Sequence, residues 1–208
     1  MKSEEWDARY TEAGLVWGSA PNRFVAAETA GLAPGRALDL ACGEGRNAIW
    51  LAEHGWRVTA IDFSGVAVER ARHLAAERGV TVDFAVGDVL EAPLDRAAYD
   101  LVLLAYLQLP ASERACVLER AAAAVNPGGL FLLVGHDLRN CAEGHGGPRI
   151  PDLLWTVDEV VGALSGAGFT VERSDEVLRD VEGAPRPAID TLVRARRQPE
   201  SAVARSAG

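Results

Sequence analysis

Lysine is all but missing from this chain: Lys2 is the only one among 21 basic residues, and the rest are arginine. Acidic residues outnumber basic ones by 30 to 21, for a formal net charge of −9. That balance argues against broad electrostatic binding to nucleic acid, which needs basic surface to displace counterions. The one basic stretch, Arg194–Arg197, reads as a solvated strand edge. No apolar run approaches the ~20 residues that span a bilayer. Met1–Glu5 is polar and acidic where a signal peptide would be apolar. Cysteine is scarce as well. Cys42, Cys116 and Cys141 are an odd number without zinc-type spacing, so no metal site is expected and a reducing cytoplasm is the expected location.

What is present fits a folded α/β domain. At 208 residues with 49% apolar content, the chain is long enough for one domain with a substantial core. Apolar β-type runs alternate with helical patterns, the mark of a mostly parallel sheet covered on both faces. Strands are expected at Ala37–Ala41, Arg57–Asp62, Val80–Val86, Tyr99–Tyr106, Leu130–Gly135, Thr170–Leu178 and Ala188–Arg196. Helices are expected near Arg46–His54, Ser64–Arg78, Ser112–Val125 and Thr156–Ala167, with Ser64 and Thr156 as N-caps. Asn126-Pro127-Gly128-Gly129 reads as a turn before the fifth strand. No helix separates the last two strands, which predicts an antiparallel pair joined at Gly183–Pro187. Residues 1–30 read as an N-terminal helix and lid, 31–197 as the α/β domain, and 198–208 as a disordered tail.

In an open parallel sheet, ligands bind beyond the carboxyl ends of the strands. The strand-ending residues converge there: Asp39–Gly45, Asp62-Phe63, Gly87-Asp88-Val89, Ala105-Tyr106-Leu107 and His136-Asp137. Gly43-x-Gly45-x-x-Ala48 matches the dinucleotide fingerprint, with Asp62 roughly where the ribose-binding acid belongs, so a nicotinamide-dependent oxidoreductase stays open. Against it, Asp39 and Glu44 would crowd a diphosphate with negative charge, and Asp88 adds a further acid on the rim. Those carboxylates suit a ligand carrying an ammonium group and a sulfonium, the charges of S-adenosylmethionine.

The motifs in order carry a resemblance. Leu38-Asp39-Leu40-Ala41-Cys42-Gly43-Glu44-Gly45, Ala60-Ile61-Asp62-Phe63-Ser64, Val86-Gly87-Asp88-Val89, Tyr99-Asp100-Leu101-Val102 and Asn126-Pro127-Gly128-Gly129 together resemble the class I S-adenosylmethionine-dependent methyltransferases over nearly the whole chain. Trp6-Asp7-x-x-Tyr10, Trp17-Gly18-x-x-Pro21-Asn22 and Gly45-Arg46-Asn47 look like the branch that includes tellurite-resistance and thiopurine methyltransferases. The resemblance implies a three-layer α/β/α Rossmann-like fold with a seven-stranded sheet in the order 3-2-1-4-5-7-6, strand seven antiparallel. It also implies S-adenosyl-L-methionine as cofactor and a small-molecule methyl acceptor, with no nucleic-acid or membrane partner, in a monomer or homodimer.

It assigns roles too. Ala41, Gly43 and Gly45 would lie against the methionine part, with Asp39 near its ammonium group. Asp62 would accept from both ribose hydroxyls. Phe63 would pack on the adenine, whose edge Asp88 and Val89 would read. Ala105 would offer backbone groups, Tyr106 would line the transfer pocket, and Arg46 would approach the cofactor or an anionic acceptor. Tyr10 and Trp17 would cover the sulfonium with aromatic faces and exclude water.

His136 ends the fifth strand and is the candidate base, since an unperturbed imidazole of pKa ~6.5 is suited to removing an acceptor proton. The glycine-rich loop 137–151 after it reads as a substrate flap, in which Asp137, Asn140 and Arg149 would select the acceptor. A methyltransferase-like domain that binds cofactor without turnover is a further alternative.

Overall fold

The computed structural model describes residues 3–12, 15–16 and 18–199; the expectations placed on Trp17 and on residues 200–208 lie outside the described residues. Seven strands form one sheet: β1 (Arg36–Leu40), β2 (Arg57–Asp62), β3 (Asp83–Val86), β4 (Tyr99–Ala105), β5 (Val125–His136), β6 (Phe169–Arg179) and β7 (Ala188–Arg197). Their order is β3-β2-β1-β4-β5-β7-β6, with β7 antiparallel to both neighbours and the other pairings parallel. This is the expected class I topology. Helices α1 (Ser3–Glu12) and α2 (Arg23–Thr29) precede β1. The main helices α3 (Arg46–Glu53), α4 (Gly65–Glu77) and α5 (Ala111–Ala124) follow, then the short α6 (Asn140–Glu143) and finally α7 (Val157–Gly166).

Strand alternation divides the core between the two faces of the sheet. Leu38, Leu40, Val102, Leu104, Phe131 and Leu133 pack toward α5 and α7. Ala37, Leu101, Leu103, Leu130, Leu132 and Val134 pack toward α2, α3 and α4. The continuous apolar runs in β4 and β5 follow from this, because every residue on a central strand is covered.

Local signals set several boundaries. Ser64 Oγ accepts from Ala67 N at 3.1 Å and Thr156 accepts from Glu159 N at 3.2 Å, so both capping residues start helices as expected. The Asn126–Gly129 turn is a correction: β5 starts at Val125, and the turn is absorbed as an irregularity between the pairs Tyr99–Val125 and Leu101–Leu130. Gly129 permits this, since a Cβ there would come within 3.0 Å of the Asn126 and Tyr99 carbonyls. The third strand is shorter than expected, starting at Asp83, and the last runs through Arg197. Beyond it, Gln198 N still donates to Gly168 O at 3.0 Å, so the sheet region extends one residue into the expected tail.

Candidate active site

The carboxyl ends of β1, β2, β4 and β5 open on a cavity of about 690 Å³. That size lies within the usual range for small-molecule sites, ~300–1,000 Å³. Of the rim residues expected from the sequence, Ala41, Gly43, Arg46, Asp62, Phe63, Asp88, Val89, Ala105, Tyr106 and His136 all line it. Tyr10 lines it from α1, which brings the N-terminal segment over the opening, and its side chain is 4% exposed.

Asp62 is the best-fixed acid of the rim. Gly43 N–H donates to its Oδ2 at 2.8 Å and Ser64 N–H to its Oδ1 at 2.9 Å. Burial raises its pKa, with the two N–H groups holding it down in part. Each oxygen keeps lone-pair capacity for a further donor from the cavity. Gly43 itself stands at φ +55°, and a Cβ there would come within 2.9 Å of the Tyr10 hydroxyl. Ala41 and Tyr106 also have positive φ, at 59° and 58°, although neither is glycine. Such strain at two neighbouring strand ends is a frequent mark of a functional rim.

Asp39 behaves differently from the expectation. It does not line the cavity but sits fully buried behind it, and neither carboxylate oxygen has a hydrogen-bond partner among the described residues. Burial, reinforced by the nearby Asp62 charge, pushes its pKa up to about 8, while Arg46 and the Ala48 N–H pull the other way. A buried unpartnered acid is costly unless something of opposite charge approaches it.

Two other motif residues are corrected. Gly45 does not line the cavity; at φ +77° it starts α3, and a Cβ there would meet Ala71 and Phe84 at 3.0 Å. Its need for glycine is therefore packing between β1, β3 and α4. Glu44 lines the cavity, but its charge is already met: Arg70 Nη1 approaches Oε1 at 3.1 Å and Val16 N–H donates to Oε2 at 2.9 Å.

At the far end, a cluster surrounds His136 that the sequence reading missed in part. The Tyr106 hydroxyl donates to Asp190 Oδ2 at 2.7 Å and accepts from Asn22 Nδ2 at 3.2 Å and Arg179 Nε at 3.0 Å. Arg179 Nε also lies 2.7 Å from Asp190 Oδ2. His136 Nδ1 is 3.2 Å from Asp190 Oδ1, within ion-pair range but out of line for a hydrogen bond. Burial opposes ionisation of Asp190, yet His136 and Arg179 outweigh it and hold its carboxyl below the usual range. Burial and the Asp190 charge together push the Tyr106 phenol up. The signal for Asp190 was a single acid inside the apolar run Ala188–Val193; Arg179 offered none.

Loop residues 137–151 turn out to be tied down. Asp137 accepts from Thr191 Oγ1 at 2.6 Å and from Arg139 N at 2.8 Å, and Asn140 Oδ1 accepts from Ile189 N at 2.8 Å. Arg149 bonds the Cys141 carbonyl, and none of Asp137, Asn140 and Arg149 lines the cavity. Their polarity is used within the loop and to pin it to β7.

Comparison with known proteins bears on the class. Residues 37–129 match the family model of the methyltransferase domain. The chain is 28% identical over 150 residues to a 2-heptyl-1-hydroxyquinolin-4(1H)-one methyltransferase of Mycobacteroides abscessus, covering 65% of this chain and 66% of that relative. The chain thus spans slightly less than two thirds of that relative's length. A solved structure described under the conversion of a disulfide bond into a thioacetal group during echinomycin biosynthesis superposes with a TM-score of 0.73 at 27% identity, over 97% of this chain and 94% of the other. TehB from Haemophilus influenzae superposes at 0.70 with 17% identity, over 95% of this chain and 68% of that one, a likeness of fold alone. The family-model match, the ordered motifs and the sheet topology support a class I, Rossmann-like methyltransferase fold for this chain. The narrower likeness to the tellurite-resistance and thiopurine branch is not established by these matches. No described helix is long and apolar enough to cross a membrane.

Proposed function

We propose that the protein transfers a methyl group from S-adenosylmethionine to a small organic nucleophile in the cavity at the carboxyl edge of the sheet. The observation that carries this reading is the pair of acids at the ends of β1 and β2. Asp62 faces the cavity with both oxygens oriented by backbone N–H groups. Asp39 waits behind the turn without a partner. A ribose diol fits the first, and the charge of an ammonium group bound in the cavity would act on the second through the turn between them. A diphosphate fits neither.

When bound, S-adenosylmethionine supplies a methyl carbon already activated by a sulfonium. The chain then has to align, desolvate and manage protons, which are the terms that dominate when the donor needs no activation. Asp62 would fix the ribose, Phe63 and Val89 would enclose the adenine, and Asp88 would accept at its edge. Gly43 and Ala41 bring backbone close to the methionine part, and Tyr10 closes the site from above. Leu107, Gln108 and Leu109 continue the cavity beyond Tyr106, toward the acceptor. Trp155 Nε1–H holds the Leu107 carbonyl at 3.0 Å, so that wall is built from the core.

The acceptor is inferred more coarsely. The relative from Mycobacteroides abscessus is named for a hydroxylated quinolinone, which supports an organic acceptor of about that size here. The test is incubation of the full chain with S-adenosylmethionine and a panel of phenols, thiols, amines and chalcogen oxyanions. Formation of S-adenosylhomocysteine that depends on one acceptor class supports the reading. Absence of turnover with intact cofactor binding would favour a catalytically silent domain.

A further inference from the structure

The N-terminal segment is fastened to the same turns that form the donor rim, and the way it is fastened carries an inference that rests on the methyl-transfer reading above. The Ser64 hydroxyl, just after β2, donates to Asp7 Oδ1 on α1. The Tyr10 hydroxyl sits against Gly43, where a Cβ would come within 2.9 Å of it. Val16 N–H donates to Glu44 Oε2 at 2.9 Å, and Asn22 N–H donates to Asn47 Oδ1 at 2.9 Å. Asn22 reaches on to the far end of the cavity, with Nδ2 3.2 Å from the Tyr106 hydroxyl. Trp6, Tyr10, Gly18 and Asn22 all line the cavity, so a ligand bound there lies under this segment.

Glu44 makes the strongest of these attachments. Its side chain is 3% exposed and both oxygens are engaged, Oε1 by Arg70 Nη1 at 3.1 Å and Oε2 by Val16 N–H. A backbone N–H held by a carboxylate is roughly twice as strong as one held by a neutral acceptor, which is what Asn22 N–H has in Asn47. The sequence pattern offers Glu44 to the ammonium group of the ligand. The structure gives its oxygens to α4 and to the N-terminal segment instead.

We propose that Glu44 is a positioning residue that latches the N-terminal segment over the donor, so that release of this latch sets how fast the spent donor leaves. Asp62 supplies the coupling. It accepts from Gly43 N–H and from Ser64 N–H, so a ribose held by Asp62 steadies the two turns that Tyr10 and Asp7 lean on. Donor binding and closure then favour each other, and the linkage runs equally in both directions. The segment has to open once per turnover to exchange product for fresh donor, as covering elements of active sites commonly do.

The first arm of the test reads the latch in the ligand-free chain. Amide exchange followed by NMR should show Val16 N–H protected in the wild type and at least ~tenfold faster in Glu44→Ala, the loss expected of a hydrogen bond to a charged group. Amides of β4 and β5 should keep their wild-type protection. Loss across those strands would show a merely structural role and sink the proposal. Glu44→Gln keeps one acceptor oxygen and should restore part of the protection at Val16; it carries the same comparison if the alanine variant does not fold.

The second arm follows release of S-adenosylhomocysteine and of 5′-methylthioadenosine, which lacks the amino-acid end, by stopped flow. In Glu44→Ala both should leave at least ~tenfold faster and by similar factors, because the segment covers both. Acceleration confined to S-adenosylhomocysteine would place Glu44 on the ammonium group and overturn the proposal, as would unchanged release of both. If the wild-type chain binds neither ligand, the donor reading itself fails and takes this inference with it, even where Val16 protection stands.

Discussion

Gly43 N–H donates to Asp62 Oδ2 at 2.8 Å, so the turn after β1 and the acid that ends β2 form one unit. Replacing Asp62 with alanine removes two things at once. It strips the cavity of its best-oriented acceptor, and it leaves the Gly43 and Ser64 N–H groups without the partner they have now. We expect affinity for S-adenosylhomocysteine to fall at least tenfold, as charged hydrogen bonds of ~1.5–3 kcal/mol are lost. Asparagine at this position keeps one acceptor oxygen and should lose less. Calorimetric titration of both variants checks the order.

Asp39 should make ligand affinity depend on pH. Burial raises its pKa to about 8, well above the ordinary carboxylate range, so below pH 8 it is mostly protonated in the free protein. A bound ammonium group favours the carboxylate, and binding should therefore release a proton. Affinity for S-adenosylhomocysteine should rise as pH increases from ~4 toward ~8 and then level off. The sign for stability is opposite: the contribution of this group is fully present below the unfolded pKa and is lost as pH rises through the folded one. Titrations in buffers of different ionisation enthalpy report the proton release directly. Asp39→Asn should abolish it; unchanged proton release in that variant would assign the effect elsewhere.

Gly135 supports from below the cavity wall proposed for the acceptor. A Cβ there would lie 2.9 Å from Trp155 Nε1, and Trp155 is 1% exposed in the core. Gly135→Ala must therefore displace the indole that holds the Leu107 carbonyl. Overpacking of this kind costs ~1–3 kcal/mol. Urea denaturation should show that loss, and turnover should fall with cofactor affinity nearly intact.

Most of the fold and much of the cavity rim were legible because they depend on local pattern. Each parallel strand ends in its own short motif, so Asp62, Asp88 and His136 announce themselves within a few residues. The closing antiparallel pair followed from the missing helix between the last strands. Asp190 was not legible in the same way. It reaches His136 only because β7 inserts between β5 and β6, a pairing across 54 positions that no local spacing specifies. Glu44 misled for a related reason, since the arginine that neutralises it comes from the next helix. Gly45 matched a ligand-binding pattern while serving helix and strand packing.

The berth at the carboxyl edge of the sheet is tested most directly by parallel calorimetric titrations of the full chain with S-adenosylhomocysteine and with NAD. Saturable binding of S-adenosylhomocysteine at one site per chain, with no heat from NAD, is the expected result. Saturable NAD binding with no response to S-adenosylhomocysteine would contradict the assignment of Asp39 and Asp62.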